Sequence, residues 1–180
     1  DRAGGDEQEA ALRRIALAVT KYWVCKRAPA HSAEALECLG GNGYAEESGM
    51  PRLYREAPLM SIWEGSGNVA ALDALRAMVK QPDSVEAFFS EVRLAEGSDS
   101  RLDNAIARVG KELADFENIE YRARRIVELM ALVLQGAQLV RHGHPAVADA
   151  FCASRLDSDW GIALGTLPTG VDTAGILSRI

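Results

Sequence analysis

The sequence predicts an all-α fold, a helical bundle with an additional C-terminal helical extension, and three observations carry that prediction. Apolar residues recur at helical spacing along most of the chain. No segment alternates apolar and polar residues for the length of a strand. Short Gly- and Pro-containing breaks separate the periodic stretches, and no internal repeat is present. Helices striped in this way bury their apolar faces against one another, which leaves a bundle as the stable arrangement.

The elements follow in order. Between residues 8 and 27, Ala11, Leu12, Ile15, Ala16, Val19, Trp23 and Val24 fall close to the spacing of one helical face. Pro29 lacks an N–H and crowds the carbonyl four residues back, so it is expected to interrupt or bend this helix. A short helix over 31–39 is expected next, with Ser32 as its N-cap. The glycines of LGGNGY, residues 39–44, end it, because glycine takes positive φ without steric cost. Residues 45–58, with Pro51 and Pro58, are expected to be irregular. Ser66 or Asn68 caps a helix that carries Val69, Leu72, Leu75, Met78 and Val79 on one side.

Gln81-Pro82-Asp83 breaks the chain. Helices are then expected over 84–95, 101–116 and 118–141, with a loop at 96–100. The third is apolar on most faces beyond Ile126 and should be central. His142-Gly143-His144-Pro145 ends it. A last helix is expected over 146–164, followed by a tail of turns with one helical turn.

A length of 180 residues suffices for a substantial core. The net charge of −6 argues against unspecific attraction to a phosphate polymer. Charge is uneven: residues 1–81 hold 10 Lys+Arg against 11 Asp+Glu, and residues 82–180 hold 10 against 15. Cys25, Cys38 and Cys152 are far apart and odd in number, which points to a reducing, cytoplasmic setting rather than a disulfide framework. Cys25 and Cys38 are expected to be small core residues. No apolar run approaches about 18 residues, so no membrane span is expected. The first residues are charged and lack an apolar signal region, so no secretory signal is expected, and they lack Met, as a fragment or processed product would.

Chemistry concentrates in two glycine clusters. In SIWEGSGN, residues 61–68, Glu64 is flanked by Leu59, Met60, Ile62 and Trp63. Burial disfavours a carboxylate, the usual way a general base is tuned toward neutrality. Gly65 and Gly67 permit close approach of another molecule, and Ser66 and Asn68 offer hydrogen bonds beside a helix N-terminus that suits a phosphate. Glu64 equally suits a charge stabilising a helix start. The second cluster, Glu37-Cys38-Leu39-Gly40-Gly41-Asn42-Gly43-Tyr44, fits either an anion-contacting turn or a helix C-cap.

Taken together, residues 21–78 resemble the C-terminal helical domain of acyl-CoA dehydrogenases. Family members show a Gly-Gly-x-Gly-Tyr/Phe turn, a Leu-Tyr-Arg-Asp/Glu segment and an Ile-Tyr/Trp-Glu-Gly-Thr/Ser segment. Here these are residues 40–44, 53–56 and 62–66, in the same order and spacing. The Trp-Glu-Gly-Ser-Gly-Asn form, Cys25-Lys26-Arg27 and the long C-terminal extension look most like the AidB branch, linked to the adaptive response to DNA alkylation. Met60 departs from the Asn of that branch.

The resemblance implies FAD as cofactor and an acyl-CoA thioester as substrate. It implies Glu64 as the base that removes the α-proton, and Ser66 and Asn68 as FAD ligands. Glu37, Cys38, Leu39, Gly40 and Gly41 match the turn that meets the FAD of a neighbouring subunit in a homodimer or homotetramer. Arg55 and Glu56 look like a structural ion pair. The resemblance divides the chain into 1–81, the bundle portion, and 82–180, the extension. It also implies a missing N-terminal part of the same polypeptide, a helical domain and a β-domain, without which turnover is not expected.

In the AidB branch the extension carries DNA binding, so double-stranded DNA is an implied partner. Tyr121, Arg122, Arg124 and Arg125 form the candidate patch, extended by Arg101, Arg108, Lys111 and Arg141. Glu117, Glu120 and Glu128 flank it, which also suits a solvated or inter-subunit face. A second reading is a DNA-associated flavoprotein of the alkylation response with weak or no dehydrogenase activity, and a third is a helical interaction module that keeps the glycine motifs only as structure. No metal site is expected: His142 and His144 lie in a Gly/Pro loop without a third ligand. Trp23, Trp63 and Trp160 are expected to be packing groups.

Overall fold

Asp6 opens the first helix, its Oδ1 accepting from the N–H groups of Gln8 (2.9 Å) and Glu9 (3.2 Å). In the computed structural model, which describes residues 5–157 and 163–180, helix α1 then runs unbroken over Glu7–Glu37. The expected interruption at Pro29 does not occur, and Ser32 caps nothing. A proline inside a helix costs about 3 kcal/mol. Packing on both sides offsets it: Ile15, Ala18, Val19 and Tyr22 are buried ahead of Pro29, and the segments after α1 fold back onto it.

Those segments are helical, not irregular. α2 covers Gly41–Tyr44, and 3₁₀ turns cover Glu46–Ser48 and Ala57–Ser61. α3 covers Met50–Glu56, with Pro51 in its first turn, where a missing N–H is harmless. Ser66 precedes α4, Gly67–Lys80, which buries Ala70, Ala71, Ala74, Leu75, Ala77 and Met78. Val69 and Val79, expected on the core side, are exposed; the alanines let α4 lie close to its neighbours.

α5 spans Asp83–Arg93, α6 Ser100–Ala114 and α7 Ala123–His142. α7 is central as expected, contacting α1, α4, α5 and α6, with Ile126, Val127, Met130, Val133 and Ala137 fully buried. It starts later than the expected 118. Asn118 takes a left-handed φ of 53°, and Arg122 is drawn back toward α6. Gly136 lets α7 approach closely: an added Cβ would come within 3.4 Å of Leu102, Phe151 and Leu156.

The expected last helix is shorter. α8 covers Pro145–Phe151 and passes into a π-helical turn, Cys152–Leu156, where Ser154 Oγ donates back to the Ala150 carbonyl at 2.6 Å. His144 Nδ1 accepts from the N–H of Ala146 at 3.3 Å, so this histidine caps α8. The rest of that expected helix, with Trp160, lies largely outside the described residues. α9, Thr173–Leu177, is the single helical turn expected in the tail.

Among the described residues there is no strand and no helix long and apolar enough to cross a membrane. One apolar core joins α1, α4, α5, α6 and α7, with Phe88, Leu102 and Met130 among its largest fully buried side chains. Cys152 sits in it, and burial pushes its thiol up to about 12. Cys25 is half-buried and Cys38 exposed, against the core placement expected of both.

The 115–122 loop is held by Arg122, which meets the Glu112 carboxylate at 2.5 Å and also donates to the Asp115 and Glu117 carbonyls. Arg122→Ala should therefore lower stability by about 1.5–3 kcal/mol, the range for hydrogen bonds to charged groups. Urea unfolding measures the difference, and an unchanged midpoint would count against the clamp.

Candidate active site

Residues 62–65 form a tight turn between the 3₁₀ turn and α4. Glu64 lies at its apex with φ 52°, a left-handed conformation that costs a non-glycine residue about 1–2 kcal/mol. Gly65 follows with φ 108°. The turn is held from α1: Lys21 Nζ donates to the Gly65 carbonyl at 2.7 Å and to the Trp63 carbonyl at 3.3 Å. Lys21 lies 43 residues from Glu64, and local sequence signals give no sign of the link.

The expected apolar enclosure of Glu64 is absent among the described residues. Glu64 is exposed, and its neighbours Ile62 (64%) and Trp63 (51%) turn more than half their surface to solvent. Leu59 and Met60 are exposed beside them. Burying these apolar groups needs a surface that the described residues do not supply. Glu64 borders an open hollow of about 450 Å³, lined also by Lys21, Arg14, Asp73 and Arg76. Arg14 is engaged there by Asp73 at 3.4 Å.

Ser66 is the N-cap of α4 by position, but its side chain makes no capping bond and remains exposed. Asn68 Oδ1 accepts from Arg124 Nε at 3.2 Å. Gly67 is buried where α4 crosses α1; an added Cβ would come within 2.7 Å of the Lys26 side chain.

The glycine turn lies at the other end of α1. Glu37 is the last residue of that helix, Cys38 its C-cap, and Leu39 is exposed. Gly40 takes φ 57°, and neither Gly40 nor Gly41 has an atom within 4 Å of an added Cβ. Gly43 differs: its Cβ would fall 2.0 Å from the Leu36 carbonyl oxygen, so only glycine lets α2 seat on α1. The structure does not bring the two glycine clusters together. Lys21 and Lys26 touch one, Glu37 begins the other, and the helix between them rises about 16–24 Å.

The expected Arg55–Glu56 pair is replaced by two others. Arg55 forks onto Glu46 at 2.7 and 3.0 Å, and its guanidinium holds the Glu46 carboxyl below the usual range. Arg52 meets Glu56 at 3.0 Å, one helical turn away.

Acids also engage the candidate nucleic-acid patch. Arg122 and Arg125 converge on Glu112, at 2.5 and 3.3 Å. Arg101 bridges Asp99 and Asp149 at 2.7 Å each, which holds the Asp99 carboxyl low, and Arg141 meets Glu91 at 2.6 Å. Only Arg124, Arg125 and Tyr121 of the central cluster face solvent. Among the described residues no three His, Cys, Asp or Glu side chains gather to hold a metal.

The family model described as acyl-CoA dehydrogenase, C-terminal domain, matches residues 2–79. The putative acyl-CoA dehydrogenase AidB of Escherichia coli (strain K12) is 41% identical over 162 residues, 88% of this chain and 29% of that protein. Acyl-CoA dehydrogenase family member 11 of Caenorhabditis elegans is 31% identical over 153 residues, 74% of this chain and 25% of that protein. The crystal structure of C. elegans ACDH-11 in complex with C11-CoA superposes with a TM-score of 0.69 at 28% identity, covering 84% of this chain and 28% of that one. The chain belongs to the acyl-CoA dehydrogenase family and carries its C-terminal helical domain. It spans between a quarter and a third of the length of these relatives.

That family generally binds FAD, and two separate places in this chain have the chemistry to contact such a group. The first N–H groups of α4 have no intrahelical partner, Ser66 Oγ is not used for capping, and Gly40 and Gly41 leave their turn open to close approach.

Two outcomes follow from this geometry. Gly43→Ala should cost about 1–3 kcal/mol through its clash with Leu36, whereas Gly41→Ala should be near neutral, as paired thermal melts would record. Glu64→Gly should stabilise the protein by roughly 0.5–1 kcal/mol by releasing the left-handed strain, while Glu64→Ala should not.

Proposed function

We propose that this chain forms the C-terminal wall of the flavin and thioester site of an acyl-CoA dehydrogenase-like oxidoreductase, as part of a longer polypeptide. Residues 1–81 are the bundle portion, and residues 82–180 are an extension packed on it. The observation that carries this reading is Glu64, held in a strained turn that directly follows the exposed apolar residues Leu59, Met60, Ile62 and Trp63. Strain and exposed apolar surface both cost stability, and both make sense where another domain closes over a reactive carboxylate.

In the closed site Glu64 takes the α-proton of an acyl-CoA thioester whose carbonyl is polarised by hydrogen bonds. Ile62, Trp63, Leu59 and Met60 exclude water from the carboxylate. FAD, when bound, supplies the acceptor for the β-hydride. Ser66 and the first N–H groups of α4 hold its polar groups from this chain, with Asn68 beside them. The residues 37–41 meet the cofactor of a neighbouring subunit, a division supported by the distance between the two glycine clusters along α1. A homodimer or homotetramer follows from that division. The C11-CoA complex of the C. elegans relative supports an acyl-CoA as the substrate class.

Duplex DNA, the partner implied for residues 82–180, gains no support from this geometry. Arg122, Arg101 and Arg141 are occupied by carboxylates, and Arg125 shares Glu112.

The test is an anaerobic titration of the full-length gene product with isovaleryl-CoA and straight-chain acyl-CoAs, following the visible flavin spectrum. Bleaching is expected, and Glu64→Gln should slow it by about 10²–10⁴-fold, the usual contribution of a positioned base. A bound flavin that no thioester bleaches would overturn the proposal.

A further inference from the structure

We infer that Lys21 is a positioning residue for Glu64, its ammonium clamping the left-handed turn that presents the carboxylate; this rests on the role proposed above for Glu64. Lys21 Nζ bridges two carbonyls, that of Trp63 immediately before Glu64 and that of Gly65 immediately after it. A donor shared between these two carbonyls restrains the backbone torsions of Glu64 and Gly65, the two positive-φ residues that separate them. Among the described residues no backbone N–H donates to either carbonyl, so the ammonium is their hydrogen-bond partner.

The clamp is anchored on a rigid element. Lys21 stands on α1 beside Tyr22, whose ring is buried in the core and whose hydroxyl burial holds in its neutral form. Glu64 thus owes its placement to a helix, not to its own loop, as a precisely held reactive group requires. The ammonium suits the task because its three donors rotate and accept no bond in return. Lys21 contacts backbone, not the carboxylate, so it acts through position. A turn freed from Nζ leaves its left-handed conformation, the less stable one for glutamate, and carries the carboxylate away from the substrate carbon.

The experiment uses the full-length holoenzyme and compares Lys21→Met, Lys21→Arg and Glu64→Gln. Two readouts are taken: steady-state kcat and KM with an acyl-CoA, and amide hydrogen exchange over residues 62–68. Lys21→Met should lower kcat by about 100-fold with KM little changed, the loss that follows from misplacing a reacting group by about 1 Å. Exchange at residues 62–66 should speed up in the same variant. Lys21→Arg, which keeps a cationic donor, should recover most of both. Unchanged kcat or unchanged exchange in Lys21→Met overturns the inference, as does an equal loss in Lys21→Arg. If Glu64→Gln turns over at full rate, the base assignment falls and the clamp's role falls with it. If Glu64→Gln is inactive and Lys21→Met is fully active, the clamp alone is wrong.

Discussion

The packing of one long helix against the core sets the position of everything at the candidate site. Ile15, Ala18, Val19 and Tyr22 bury one face of α1, which contacts α4, α5 and α7. That burial outweighs the cost of Pro29, and the continuity it preserves has consequences at both ends of the helix. Midway along, Lys21 reaches the Glu64 turn and Lys26 lies against Gly67. At the C-terminal end, the Leu36 carbonyl admits only a glycine at position 43. A break at Pro29 would have left these contacts on two independent elements.

Electrostatics in the second half of the chain serves cohesion. The net negative charge of residues 82–180 is spent on arginines that tie elements together: Arg122 the loop before α7 to α6, Arg101 the start of α6 to α8, and Arg141 α7 to α5. The partly buried members of these pairs lose less to solvent screening than surface pairs do. A cluster that looks basic in the sequence is therefore mostly neutralised in space.

Around Glu64 the balance runs the other way. A left-handed glutamate, exposed Ile62 and Trp63, and an unused Ser66 hydroxyl are features that a domain optimised for itself would not keep. They are consistent with a surface shaped for other parts of a longer protein, in keeping with a chain that spans under a third of its relatives.

The sequence by itself determined the helical class, the central position of α7, the breaks near residues 82 and 143, and the motifs that mark the family. Periodicity, glycine and proline are local signals, and each of those features is a local fact. It also marked Glu64 as the residue to explain. Only the tertiary structure decided that α1 passes through Pro29, that residues 50–56 are helical, and that Glu64 is exposed. Only the tertiary structure showed that Arg55 belongs to Glu46 and Arg122 to Glu112, and that Lys21 grips a turn far along the chain. Each of these outcomes is a competition between a local preference and a contact with a distant segment, and the distant partner has no signature in the neighbouring residues.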